Sequence, residues 1–287
     1  MKNRKALFFD IDGTLFSESL RQVPQSAVLA LKKTRERGNL VFINTGRTWC
    51  QNTGIRREVE VDGYCCGCGT YLIAGSLGLS GDTGAAGQNA EAETGLPVGS
   101  RVLYDRRIPR DRADRIKADI ERFHLDAVLE GVDACWLGKG GPRMEIMRRI
   151  QQYMKAGGYG GPGDWWEADC DISKFCVSVD EHSEAERFFE TLTDFDIIDR
   201  GHGFYECVPS GHSKATIIGR VLKEYGIPRE DAWVFGDSMN DLSMFQYAQN
   251  SVLMGVHDVG LEPYATFTTK TVEEDGIAYA MGQLGML

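Results

Sequence analysis

Asp10 and Asp12 stand two residues apart at the end of an apolar run, Ala6–Phe9, and are followed at once by Gly13 and Thr14. Carboxylates held that close repel each other unless a cation sits between them, and hard oxygen donors suit Mg²⁺. The run before them has no polar face, as in a strand covered on both sides of a sheet. A strand ending in Asp-x-Asp-Gly-Thr sets its carboxylates at the C-terminal edge, where open α/β sheets bind ligands. Gly13 lets the backbone turn away, so both aspartates can aim at one site. A solvated turn after a strand has the same composition, because Asp and Gly are ordinary turn residues. The octapeptide alone leaves both readings open.

Three further segments bear on the choice. Residues 40–47, LVFINTGR, form an apolar strand ending in Thr45-Gly46. Ser213-Lys214 opens an amphipathic stretch that runs to Tyr225. Residues 232–241, AWVFGDSMND, form another apolar strand that ends in Asp237 and Asp241. Each has a plainer reading: a turn at Thr45-Gly46, a solvated Lys214, and turn or helix-cap roles for the two aspartates. Lys214 is the exception, since a cation near a helix start is mildly unfavourable and calls for another reason to be there. In this order and at these strand ends, the four segments resemble the haloacid dehalogenase superfamily. More narrowly, they are similar to the Cof-type phosphatases, whose large cap is inserted after the second motif. The first and fourth motifs match over their full length; the second and third are short. The resemblance covers residues 5–71 and 205–281.

That resemblance implies an α/β fold: a Rossmann-like parallel-sheet core with an inserted α+β cap domain. The core would comprise residues 1–74 and 205–287, and the cap residues 75–204. It implies a phosphatase of small phosphorylated metabolites in which Asp10 is the nucleophile and forms an acyl phosphate. Asp12 would protonate the leaving alkoxide and then take a proton from water. Asp10, the backbone carbonyl of Asp12, and Asp237 would hold Mg²⁺, which draws nucleophile and phosphoryl group together. Thr45, the Gly46 amide and Lys214 would bind the transferring oxygens. Asn240 and Asp241 would orient the waters of the metal and Lys214, and Arg47 would reach the substrate. A phosphomutase of the same superfamily and a non-catalytic binding module on this fold are the competing readings. Two departures from the Cof pattern stand out: Cys68-Gly69-Thr70 replaces a common Asn-Gly-Ala, and His212 precedes Ser213-Lys214 where an apolar residue is common.

Composition bounds the partners. The chain has 287 residues, 32 basic and 42 acidic, for a formal charge of −10. No excess of Lys and Arg exists to neutralise nucleic acid or an anionic membrane. A small anionic substrate fits if a cation and a few donors reverse the field at one site. No apolar run approaches the roughly 18 residues of a membrane span. The four apolar residues after a basic opening are too few for a signal peptide. The eight cysteines lack the spacing of a secreted scaffold, and the expectation is a cytoplasmic protein. Cys65-x-x-Cys68 has no second Cys or His pair near it and reads as a cysteine-rich strand end.

The elements that must position these residues follow from periodicity. Residues 24–37 predict a helix, with Pro24 at its first turn and Gly38 past its end. Strand 40–44, a helical stretch to about Arg57 and a strand near Tyr64 continue a βαβ series. Residues 75–100 hold almost no large apolar side chain and read as a long flexible loop at or just beyond the domain junction. From residue 101 to about 203, strands and helices (110–123, 144–155 and 183–192) alternate, and the resemblance implies two helices over an antiparallel sheet. Trp165, Trp166 and Glu167 lie there as packing residues or as a sugar-binding face. Strand 204–208 and helix 213–225 return the chain to the core, followed by strand 233–235, helix 241–248, strand 251–254 and helix 274–281.

Overall fold

The structure, a computed structural model, describes residues 4–75 and 99–287. In chain order its elements are β1 (Ala6–Phe9), α1 (Gln25–Glu36), β2 (Leu40–Asn44), α2 (Ile55–Glu58), β3 (Gly63–Cys66), β4 (Tyr71–Gly75) and β5 (Ser100–Asp105). There follow α3 (Arg110–Arg122), β6 (Asp126–Gly131), β7 (Cys135–Leu137), α4 (Glu145–Gly157), β8 (Ile172–Ser178), α5 (Ala185–Glu190), β9 (Phe195–Asp199) and β10 (Phe204–Pro209). The last are α6 (Lys214–Tyr225), β11 (Ala232–Gly236), α7 (Leu242–Tyr247), β12 (Asn250–Leu253), β13 (Phe267–Thr268) and α8 (Gly276–Gln283).

The apolar runs become the middle of an eight-stranded sheet in the order β13-β12-β11-β1-β2-β3-β4-β5. Strands β13 to β3 pair in parallel, while β4 and β5 pair antiparallel at one edge. All four residues of β1 are fully buried, because alternate side chains feed two cores. Leu7 and Phe9 pack with α1 and α8 on one face, and Ala6 and Phe8 with α6 and α7 on the other. Phe9 stacks on Phe235 at 4.2 Å, and Phe8 on Phe42 at 5.2 Å. Burying such a ring is worth about 1.5–3 kcal/mol, so the strand end that carries Asp10 is firmly anchored. Register aligns Phe9 with both Ile43 and Phe235, so the loops after β1, β2 and β11 leave the sheet at one edge.

A second sheet, β7-β6-β8-β10-β9, is antiparallel throughout. Helices α3 and α5 cover the face carrying Leu129, Phe175, Val177 and Cys207. Helix α4, which periodicity places at 144–155, packs on the opposite face, against Val128 and Cys176, where the resemblance implied two helices in all.

The ladders move two strands across the expected boundaries. β5 pairs with β4 at the edge of the first sheet, although residues 75–204 were assigned to the cap. β10 pairs with β8 and β9 in the second sheet, although residues from 205 onward were assigned to the core. The chain passes between sheets at Arg106 to Ile108, whose amides bond to Thr70 and Ile172 respectively. It returns after Ser210, whose amide still bonds to Asp194. An apolar strand pattern reports burial but not the neighbouring strand, hence the difference. The Gly- and Ala-rich tract, at residues 76–98, lies outside the described residues. Its flanks, Gly75 and Ser100, pair with each other in the first sheet. Among the described residues no helix is long and apolar enough to cross a membrane.

Candidate active site

Asp10 follows β1 and is buried, with its amide bonded to the Phe235 carbonyl. Lys214 Nζ donates to Asp10 Oδ1 and to Asp241 Oδ1, each at 2.6 Å. Lys214 opens α6, where Ser213 caps the helix by accepting from the Thr216 amide. Asn44, the last residue of β2, donates to the Lys214 carbonyl at 2.9 Å. The end of one strand thus fixes the helix turn that delivers the ammonium. Asp241 Oδ2 accepts from the amides of Asp237 and Ser238 at 3.0 and 3.3 Å. A Cβ on Gly236 would lie 2.4 Å from Asp241 Oδ2, so only glycine admits that carboxylate. Thr14 Oγ1 donates to Asp237 Oδ1 at 2.9 Å. Gly13 has φ +78°, and a Cβ there would sit 2.5 Å from Asp237 Oδ2. The Gly-Thr after the two aspartates is therefore shaped by a carboxylate from the far end of the chain.

Single oxygens of Asp10, Asp237 and Asp241 lie within 4.8 Å of one another. An all-oxygen donor set of this kind fits a hard divalent cation. Asp241 commits both its oxygens, to Lys214 and to the two amides. Asp10 and Asp237 commit Oδ1, to Lys214 and Thr14, which makes them the better pair of ligands. Burial, helped by Asp241 and Asp12 and opposed by Lys214, pushes Asp10 up to about 7. Burial, with Asp10 and Asp241, pushes Asp237 up to about 8. Against a burial that would lower it, the two aspartates hold Lys214 firmly protonated. One ammonium does not compensate three clustered carboxylates, and a divalent cation would restore their charge.

Thr45 and Gly46 follow β2. The Thr45 amide bonds to the Cys65 carbonyl at 2.9 Å, and Thr45 Oγ1 accepts from the Arg47 amide at 3.1 Å. Arg47 Nε donates to Asp12 Oδ2 at 2.9 Å, and its Nη2 pairs with Oδ1. Such a fork fixes the planes of both groups, so the second aspartate is aimed by Arg47 and not by Lys214. A cleft of about 360 Å³ is lined by Asp10, Asp12, Thr45, Gly46, Arg47 and Asn240, among others. Six of the nine core residues expected at the site line this cleft, with Asn240 hydrogen-bonded to Ser238 Oγ; Lys214, Asp237 and Asp241 adjoin it through Asp10.

Sequence reasoning missed the other wall of the cleft. Glu130, Lys174, Arg200 and Glu206 come from the second sheet, and Gln51 from the turn Trp49–Asn52 after the second motif. A charged residue inside an otherwise apolar strand (ISKFCVS, FYECVP) was the available signal. The tryptophan pair lies elsewhere: Trp165 packs in the core of the second sheet, and both indoles donate to Glu121. His212 contacts the Tyr104 hydroxyl at 2.7 Å and the Pro209 carbonyl, tying together the two passages between sheets. All eight cysteines are free, and Cys68 Sγ donates to Glu206 Oε1.

A model of the haloacid dehalogenase-like hydrolase family matches residues 7–281. Phosphatase YwpJ of Bacillus subtilis (strain 168) is 30% identical over 299 residues, covering 98% of this chain and 99% of that protein. The 5-amino-6-(5-phospho-D-ribitylamino)uracil phosphatase YwtE of the same organism is 24% identical, covering 98% of each. Among solved structures, the HAD subclass IIB sugar phosphatase BT4131 superposes with a TM-score of 0.76 at 24% identity, over 99% of this chain and 100% of that one.

Proposed function

Because this chain belongs to the haloacid dehalogenase-like hydrolases, we propose that it is a Mg²⁺-dependent phosphatase of small phosphorylated metabolites that works through an aspartyl phosphate on Asp10. The observation that carries this reading is the pairing of a buried Asp10 with Lys214, beside Asp237 and opposite an Asp12 held by Arg47. Asp10 attacks phosphorus while Lys214 fixes its orientation and faces the transferring oxygens together with Thr45 and the Gly46 amide. Asp12 gives a proton to the leaving oxygen and then takes one from water. Asp10, Asp237 and the Asp12 carbonyl would hold Mg²⁺, which would neutralise charge between nucleophile and phosphoryl group. Asp241 keeps Lys214 in place, and Asn240 would orient the waters of the metal. Relatives named as phosphatases, one for a ribityl phosphate and one for sugars, support esters of sugars or similar alcohols as substrates. A cytoplasmic location belongs to the same reading and is supported by eight free thiols.

A panel of phosphorylated metabolites assayed for phosphate release with and without Mg²⁺ tests the proposal. The expected result is release from several esters that EDTA abolishes and Mg²⁺ restores. Full activity after exhaustive EDTA treatment would sink the metal role, and no release from any ester would sink the activity.

A further inference from the structure

Two thiols left without work by the chemistry above meet where the two sheets face each other. Cys50 sits in the turn Trp49–Asn52, just past Arg47, and Cys135 opens β7 in the second sheet. They are 8% and 0% exposed, and their Sγ atoms are hydrogen-bonded at 3.8 Å. Both backbones are pinned. The Cys50 amide bonds to the Val132 carbonyl at 2.9 Å, and Cys50 Sγ lies 3.5 Å from the Gly131 carbonyl. The Cys135 amide bonds to the Tyr159 carbonyl, while the Cys135 carbonyl accepts from the Gly161 amide. Among the described residues no other two thiols are hydrogen-bonded to each other. Beside them Gln51 donates to Glu130 Oε1 at 2.9 Å, so this corner already ties one wall of the cleft to the other.

An S–S bond is about 2.05 Å long, and with the backbones held, closing the remaining gap falls to side-chain rotation. The two thiols are not equivalent. The hydrogen bond with Cys135, helped by one with Thr48, lowers Cys50 against its burial. The same bond, with burial, raises Cys135. Burial raises the other six thiols. Thiolate is the nucleophilic form, so Cys50 reacts first with a small oxidant and Cys135 stands beside it to resolve the product. With hydrogen peroxide, the Cys50 thiolate attacks one oxygen: an S–O bond forms, the O–O bond breaks, and hydroxide leaves. The Cys135 sulfur then attacks the Cys50 sulfur. An S–S bond forms, the S–O bond breaks, and the Cys135 proton departs with the second hydroxide as water. The two sulfurs lose two electrons in all, and the peroxide takes both.

We propose that Cys50 and Cys135 form a reversible disulfide when oxidant rises, and that this bond clamps the second sheet onto the first and slows turnover. The chain passes between the sheets at residues 106–108 and again after Ser210. A bond from Cys50 to Cys135 adds a third covalent tie, next to the Gln51–Glu130 contact across the cleft. Substrate entry and product release need the walls to part, so a tie that holds them together slows every cycle. In a reducing compartment the thiols stay free, and exchange with a small thiol reopens the bond. The effect on turnover rests on the phosphatase reading above; the cross-link does not.

The test treats the full-length wild-type protein with hydrogen peroxide and divides each sample between peptide mapping and assay. Mapping without reductant should find a peptide that links Cys50 to Cys135 and disappears with dithiothreitol. As the link forms, kcat/KM for p-nitrophenyl phosphate should fall at least about tenfold, and dithiothreitol should restore it. Cys50→Ser and Cys135→Ser should each keep the activity of the reduced wild type and lose the response to peroxide. The wild-type mapping requires no variant to fold. Oxidation that yields no linked peptide overturns the proposal, whatever happens at other cysteines. A linked peptide with unchanged turnover overturns the clamp. A loss of activity that persists in Cys135→Ser also overturns it, since oxidation without the cross-link would then suffice. If the reduced protein releases no phosphate from any ester, the phosphatase reading fails and hydrogen exchange decides the clamp. Slower exchange in the Trp49–Asn52 turn and β7 of the oxidised protein upholds it, and equal exchange overturns it.

Discussion

Asp10 and Asp12 are neighbours in sequence with different partners: Lys214 holds the first, and Arg47 holds the second at the rim of the cleft. Their substitutions should therefore fail differently. Asp10→Asn removes the proposed nucleophile and should lower turnover at least about 10³-fold with no covalent intermediate. Asp12→Asn keeps the proposed nucleophile and loses the proposed acid and base, a role worth about 10²–10⁴-fold. With p-nitrophenyl phosphate, whose leaving group needs little protonation, the first step should survive and the second should slow. A burst of p-nitrophenol and an Asp10 phosphate detectable by mass spectrometry are the expected signs; wild-type steady-state turnover in Asp12→Asn would disprove the assignment. At this scale Asp10, Asp12, Asp237 and Thr45-Gly46 were legible as a group, because each stands just past the end of an apolar strand. The Arg47–Asp12 pair was not, since it depends on where two loops leave neighbouring strands.

Turns set these groups more tightly than the strands do. Gly13 is needed twice over, for a positive φ and for the 2.5 Å at which its missing Cβ would meet Asp237 Oδ2. Gly13→Ala costs about 1–2 kcal/mol in backbone strain and must also displace the Asp237 carboxylate. The variant should stay folded, with its melting temperature lowered by a few degrees, and should need at least about tenfold more Mg²⁺ for half-maximal activity. An unchanged Mg²⁺ requirement, measured by titrating the metal-stripped enzyme, would detach Asp237 from the metal. The long helices α1, α3 and α6 and the strands β1, β2 and β11 were readable from periodicity. β7, with three residues, is too short to show a period. β10 was recognised as a strand but placed in the wrong sheet. Its buried Glu206, pointing at Lys174 instead of an apolar layer, marks the seam only once the fold is known.

Across the whole molecule, two sheets share one cleft, and the sequence could announce the second unit without assigning its strands at the seam. The carboxylates beneath that cleft link the site to global stability. In the metal-free protein Asp10 and Asp237 are raised from the ordinary 3.8 to about 7 and about 8. Between those limits the folded state keeps protons that the unfolded chain has released, so stability falls as pH rises through this window and levels off above it. Asp194 and Glu206, held below their ordinary values, act in the opposite sense, but only at more acid pH. Mg²⁺ competes with the retained protons, so it binds better as they leave. Thermal unfolding should therefore show a larger Mg²⁺-induced rise in melting temperature at pH 8 than at pH 6, by several degrees at saturating metal. Asp237→Asn should lose most of that rise and flatten the pH dependence of the metal-free protein. Comparing it with wild type removes the histidine contribution common to both. Equal Mg²⁺ shifts at the two pH values, or a wild-type response in Asp237→Asn, would mean that the metal is held by other groups.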